Sequence, residues 1–430
     1  VYFKVVNMTE WLRMRVYALR AVSPVVYRIF VAVAFAGLAG SIPEVIFNFY
    51  VQSLGYDNSV AGQLAGVVRL AGFVFGVPLG LLVDRFGGIR AIQVGALLNA
   101  IVWVGLVQIT DLTVMRVLYF LGGLFASSVM VGTVPTLTRV VPVEQRAQVL
   151  GVNFSLFVLM GFLGALLGGW LPGVVATFRG ISAVSAPAYQ AVLVVPIVLS
   201  GAVLFVLHGV HARVIALAPQ GAHGVAGDVT VATSVPLIIL MTTGNLAMGF
   251  AGGILHPFMN LFFRQEYGFV DATVGLLVAG LSLALGLGGM FGRPVAQALG
   301  PRRGLVVLLG LAAVIGAGTL IPQPWIAYAC YLLSTFLIGM AFPFFDLLLI
   351  ASVAPHQRGL TKSVSSMQWS IGWAVAAFFS GQLQVQYGFW LPIVIFAGGQ
   401  GLAAVLAWHL PYRDQRSAPV TVVATERASA

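Results

Sequence analysis

Glu44, Arg69 and Asp346 stand inside long apolar stretches of the chain, and His256, beside Pro257, is a fourth titratable group in such a stretch. A charge held away from water is costly, so each of these is a functional candidate by default. It can bind a charged solute, pass on a proton, or neutralise another charge. Asn48 follows Glu44 by four residues and Asn260 follows His256 by four, and Pro43 and Pro257 lie in the same two runs. Proline removes a helical hydrogen bond and frees carbonyls. In membrane helices such breaks often line a cavity. They also serve as plain kinks with satisfied polar partners, and for Asn48 and Asn260 both readings stand.

Depth suggests pairings. Arg69 lies about 15 Å into its run and Glu44 about 10 Å, at about 1.5 Å per helical residue. The two runs are sequential and antiparallel, so a Glu44–Arg69 ion pair is the least costly arrangement; with an anionic solute, Arg69 is instead its anchor. Asp346 has no basic residue in its own run, and Arg358 lies 12 positions on. A carboxylate without a nearby cation suits a proton carrier; the other reading is a hydrogen bond to a neighbouring helix. Trp369 and Trp373, four apart, either pack helices or stack on a ligand.

The elements that hold these groups follow from composition. Of 430 residues 60% are hydrophobic, and 22 basic plus 12 acidic residues make only 8% charged, with a mean hydropathy of +1.00. Soluble domains carry about 25% charged residues. A soluble globule, a disordered chain and a secreted disulfide scaffold are excluded, and the single Cys330 cannot form an internal bridge. Twelve apolar runs are near the length of about 20 residues that crosses a bilayer: 28–51, 59–83, 91–109, 113–140, 147–171, 188–208, 235–263, 272–298, 305–321, 324–352, 360–385 and 389–409. Their continuity predicts helices, because barrel strands would alternate.

With the N-terminus in the cytoplasm, 18 basic residues fall on the inner side and 3 on the outer, with Arg69 left inside. That bias predicts both termini and the central linker in the cytoplasm. Positions 58 and 185 are then outside and 221 inside. The +10 charge reads as topology, with no nucleic-acid partner. The basic amphipathic stretch 10–20 is expected on the inner leaflet. It has no small-residue cleavage site, so no signal peptide is read, and Met8 is a candidate start.

The chain repeats itself. Gly76 and Gly80 recur 212 residues later as Gly288 and Gly292, Gln145-Arg146 as Gln357-Arg358, and Gly169 as Gly381. Gly55 and Gly62 recur at an offset of 213 as Gly268 and Gly275. The expected organisation is an N-terminal segment 1–27, a six-helix bundle 28–210, a linker 211–232, a second six-helix bundle 233–410 and a tail 411–430. Two similar halves can rock about a site between them, and small-residue pairs let their helices approach closely.

The loop after the second run reads Gly80-Leu-Leu82-Val-Asp84-Arg85-Phe-Gly87-Gly88-Ile89-Arg90. It resembles the major facilitator superfamily signature G-x-L-x-D-R-x-G-R-[RK]. Gly80, Leu82, Asp84, Arg85, Gly87 and Arg90 fit; Gly88 and Ile89 depart. In the second half the acid is missing, its place falling on Ala296 or Gln297. The resemblance covers nearly the whole chain. It implies an all-α integral membrane fold of twelve transmembrane helices in two pseudo-symmetric six-helix bundles, with spans one, four, seven and ten lining a cavity. The signature residues would then act as a conformational switch, Asp84 favouring a helix N-terminus of the other half. Drug-antiporter members carry G-x8-G-x3-G-P-x2-G-G in the fifth span, which Gly151, Gly164, Gly168 and Gly169 match, while Met160 and Ala165 replace a Gly and the Pro. In the fourth span Gly123 fits, but Tyr119 stands where those members have an Arg, and Arg116 is one turn earlier.

The function implied is secondary transport of a small solute across the cell membrane, ion-coupled efflux of a drug-like compound or metabolite, by a monomer in the bilayer with protons as the candidate coupling ion. The alternative is a non-transporting sensor or partner-binding protein on the same scaffold. No enzyme activity and no cofactor are expected. Neither Lys4 nor Lys362 sits in a phosphate-binding loop, which argues against ATP-driven transport. No metal site is expected; His208, His211 and His223 read as interfacial histidines.

Overall fold

The computed structural model describes residues 23–217, 234–354 and 357–410. The stretch 10–20, Met8, most of the expected linker with His223 and Gly221, Pro355 and the tail lie outside the described residues. All regular structure among the described residues is helical. Eleven helices are long and apolar enough to cross a bilayer. One further helix, Arg358–Tyr387, has 30 residues, about 45 Å at 1.5 Å per residue. It is long enough to cross and more polar, since it carries Lys362, Gln368 and several serines. Counted with it, the spans in chain order are Pro24–Ser53, Asn58–Phe86, Gly88–Gln108, Leu112–Val140, Val143–Arg179, Ala186–Val206, Val235–Tyr267, Asp271–Gly288, Pro301–Leu320, Pro324–Ala351, Arg358–Tyr387 and Trp390–Trp408. A short helix, Val210–Leu217, follows the sixth span.

The two prolines of the first paragraph behave differently. Pro43 lies inside an unbroken helix, so the break expected there is not formed. At Pro257 the seventh span does break, through a 3-10 turn at His256–Phe258. The eighth apolar run is also interrupted, ending at Gly288 and resuming as Gly292–Leu299.

Local sequence explains the helix ends. The carboxylate of Asp57 accepts hydrogen bonds from the amides of Ser59 (3.0 Å) and Val60 (3.3 Å) and from the Ser59 hydroxyl (2.5 Å), capping the second span. The Ser59 hydroxyl bond, against an opposing desolvation effect and helped by the amides, holds the Asp57 carboxyl below its usual range. A depressed folded-state value means the cap contributes above the unfolded value and is lost as pH falls through the folded one. Asp57→Ala is expected to cost about 1 kcal/mol at neutral pH. Thermal unfolding in detergent should show the gap from wild type narrowing in acid; a gap unchanged at low pH would mean the charge is not used. Arg28 closes the sixth span, donating to the carbonyls of Val206 (2.7 Å) and His208 (2.9 Å).

The packing follows a two-fold plan. In the first six spans the first packs on the fifth and sixth, the third on the fourth and sixth, and the second on the fourth. The same pattern recurs six spans later: seventh on eleventh and twelfth, ninth on tenth and twelfth, eighth on tenth. The two sets meet where the second span crosses the eleventh and the fifth crosses the eighth. The repeated glycines are the crossing points. Gly62 meets Gly381, and Gly275 meets Gly169; a Cβ on Gly62 would lie 2.8 Å from the Ala377 carbonyl, and one on Gly275 2.8 Å from the Ala165 carbonyl. Ala165 and Ala377 are themselves 212 apart.

These crossings lie toward the Asn58 end of the second span. Around Gly72, Gly76 and Gly80, further along it, there is open space. The halves therefore join at the Asn58 end and part at the end carrying Asp84, Arg85 and Arg90. A chamber is left between them, open on the basic face.

Candidate functional site

Polar bonds reinforce the closed end. Asn48 donates to the Pro257 carbonyl (2.8 Å) and Asn260 to that of Val45 (2.7 Å), with 3.0 Å between the two side chains. Both donors and both acceptors are related by the 212-residue repeat. Asn48 and Asn260 thus clasp the first span to the seventh. Nearer the surface, Asn58 donates to Gln265 (3.0 Å) and Gln384 (3.1 Å). Asn58 is buried in this conformation, so its accessibility reports opening and not topology alone. At the fifth–eighth crossing Tyr189 donates to Asp271 (2.6 Å), and Arg264 donates to Tyr189 (3.0 Å) while pairing with Asp271 at 3.4 Å.

Glu44, Arg69 and His256 come together in the chamber. The charge of Glu44 acts on Arg69, His256 and Tyr119, from the first, second, seventh and fourth spans. Glu44 and Arg69 make no contact ion pair; their charged atoms are more than 4.0 Å apart. The pair expected from depth is therefore not formed here. Arg69 instead lies over two indoles of the eleventh span, 5.0 Å from the ring centre of Trp373 and 5.6 Å from that of Trp369. The rings are 4.9 Å apart. A seat over indole faces suits a guanidinium, which is planar and weakly hydrated. His256 Nδ1 is 3.2 Å from the Tyr331 hydroxyl, and its ring meets Trp373 edge-on at 5.8 Å. Tyr119 stacks on Phe47 at 4.4 Å.

Trp369 and Trp373 were left open in the sequence between packing and ligand stacking; Tyr119 and Tyr331 were not placed in the site, although a signal was present. Tyr119 and Tyr331 are 212 apart, as are Glu44 and His256. The chamber is built from matched positions of the two halves.

Asp346 is elsewhere, and its surroundings correct the expectation. Lys362 Nζ, from the eleventh span, is 2.5 and 2.6 Å from its two carboxylate oxygens. Asp346 has a cation after all, and both partners belong to the second set of six spans and are partly exposed.

The signature loop lies on the open face. Asp84, Arg85 and Arg90 are exposed, and Asp84 has no ion pair or hydrogen bond among the described residues. Gly87 has φ +87° and ψ 144° between the second and third spans, a conformation open essentially to glycine alone. The His211 ring lies against it; burial and the Arg90 charge hold that imidazole below its usual range. Gly80 faces open space, so it packs nothing in this conformation. In the fifth span, Gly164 and Gly168 lie on the backbone of the first span at Leu38 and Ile42, Gly169 meets the eighth, and Gly151 faces open space.

The sequence model of the Major Facilitator Superfamily matches residues 29–235 and 241–428. The chain belongs to the Major Facilitator Superfamily, and it is a multi-pass membrane protein. It is similar to "Multidrug resistance protein MdtH" of Klebsiella pneumoniae (strain 342), 29% identical over 167 residues, or 37% of this chain and 40% of that one. The matched region thus spans about two fifths of the relative's length. Its fold is similar to that of a bacterial homologue of the human lysosomal transporter Spinster in an inward-facing, unoccupied conformation, with TM-score 0.69, 16% identity, and 89% and 93% of the two chains covered. It is also similar to the xylose transporter XylE from E. coli in an inward open conformation, with TM-score 0.70, 13% identity, and coverage of 91% and 98%.

Proposed function

We propose that this protein is a secondary transporter that carries a small drug-like compound or metabolite out of the cell by alternating access, as a monomer. The observation that carries this is the chamber. It lies between two matched halves that cross at the Asn58 end and leave open space at the Asp84 end, and Glu44 and Arg69 are exposed in it. In this reading residues 28–210 and 233–410 are the two moving units. The basic face is cytoplasmic, by the charge bias, and the conformation described is open to the cytoplasm. The name of the MdtH relative supports export, and protons are the proposed driving ion. Uptake into inverted vesicles of purified, reconstituted protein, with and without an imposed pH gradient, tests it. Absence of gradient-dependent movement across a broad panel of amphiphilic compounds would leave the non-transporting alternative.

Asp84 has its part in the opposite conformation. Among the described residues it is unpaired with the basic face open, so any contact it makes with those of the other half forms on closure there. Asp84→Asn should leave abundance near wild type and shift the balance toward the conformation described here. A contact near a helix end is worth about 1 kcal/mol, so the expected loss of flux is several-fold. Wild-type flux would reduce Asp84 to a topology signal.

A further inference from the structure

The charges in the chamber bear on the class of solute it would take. Arg69 is held by ring faces only. Among the described residues it makes no hydrogen bond and no ion pair, and it is exposed to the chamber. Its N–H donors therefore find no acceptor among the described residues. The ring contacts use none of these donors, which remain for a planar two-oxygen acceptor. The carboxylate of Glu44 is in the same condition. It is exposed, has no hydrogen bond or ion pair among the described residues, and is separated from Arg69 by more than 4.0 Å. Two opposite charges thus face one space, close enough to act on each other and too far apart to neutralise by contact.

A bound solute removes water from that space, and each charge then needs a partner. A monoanion would satisfy Arg69 and leave Glu44 bare beside a new negative group. A monocation would satisfy Glu44 and leave Arg69 bare. An uncharged solute would serve neither. A molecule carrying both charges a few bonds apart serves both and adds no net charge to the chamber. Trp369 and Tyr119, both partly exposed, supply flat apolar walls beside the two charges, with Trp373 buried behind them, which suits an aromatic or other planar body. His256 is already engaged through Nδ1 with Tyr331.

Resting on the transport reading above, we propose that the substrate class is a zwitterionic amphiphile: an anionic group on the Arg69 N–H donors, an ammonium on Glu44, and a planar apolar body against the aromatic walls. Three probes with one aromatic body and different charge test this directly: phenylalanine, phenethylamine and 3-phenylpropionate. Binding is measured by equilibrium dialysis of the labelled probes on the purified full chain in lipid nanodiscs. Wild type should bind phenylalanine at least tenfold more tightly than either singly charged probe. In Arg69→Gln the amine should equal or overtake phenylalanine, and in Glu44→Gln the acid should do so. These opposite changes of order cannot come from a general loss of fold. Equal affinities, a wild-type preference for a singly charged probe, an order unchanged in both variants, or no binding of any probe each overturns the proposal. Gradient-driven movement of some other compound in the same preparation would leave the transport reading intact while this one falls.

Discussion

Gly381→Val and Gly169→Val are each expected to abolish transport and to leave the Asn58 end of the protein open. A Cβ on Gly381 would run into the Asn58 carbonyl, and one on Gly169 would lie 2.5 Å from the Asp271 carbonyl and 2.7 Å from the Gly275 Cα. These neighbours are backbone atoms of helices from the other half. They cannot turn aside as a side chain could. Overpacking typically costs about 1–3 kcal/mol, and only the conformation in which the halves touch here bears it. The balance between conformations should therefore move by about one to two orders of magnitude. The reporter is Asn58→Cys in a Cys330→Ser background, since Asn58 is 7% exposed in the closed arrangement. Its reaction with a membrane-impermeant maleimide should accelerate at least tenfold when either glycine is replaced. Gly201→Val, where a Cβ meets only open space, should change neither labelling nor flux. Slow labelling with full flux in the seam variants would mean that the crossings do not need to seat closely.

The fold was legible because bilayer crossing imposes a coarse rule. Each span must be apolar for about 20 residues whatever it packs against, and a duplicated unit leaves its spacing in the sequence. The repeat reached further than its use in counting helices: Gly62, Gly169, Gly275 and Gly381 were visible as matched positions, and they are the contacts between the halves. Partners within the site were less legible. Depth arithmetic places side chains along a helix axis and says nothing of their direction around it. It therefore paired Glu44 with Arg69, whereas Arg69 is held by Trp369 and Trp373, 300 or more positions away. Applied to Asp346, the same arithmetic would have found Lys362. One lies near the end of the tenth span and the other near the start of the eleventh, at similar depth. Looking for a cation only within the same run missed it.

In the proposed proton-driven cycle, the Lys362–Asp346 pair shifts the candidate coupling carboxylate from Asp346 to Glu44. A proton gradient does work only through a group whose surroundings differ between the two conformations. Asp346 and Lys362 are both in the second half, so in the proposed rocking of the halves their pair would move as one body and stay intact. Glu44 stands between the halves. Arg69 and Tyr119 reach it from the first and His256 from the second, and the Asn48–Asn260 clasp one turn further on must open when the halves part at that end. Its electrostatic surroundings therefore change with conformation, and its carboxylate is exposed in the open chamber. Glu44→Gln is expected to lower pH-gradient-driven accumulation at least tenfold, while downhill exchange continues at saturating substrate. Asp346→Asn removes a partly exposed ion pair worth about 0–1 kcal/mol, and accumulation should stay within about twofold of wild type, since one kcal/mol of stability shared by both conformations does not alter their balance. Accumulation and exchange measured side by side in the same vesicles separate coupling from substrate binding. If Asp346→Asn exchanges substrate but no longer accumulates it, the moving pair is the coupled group and this assignment to Glu44 fails.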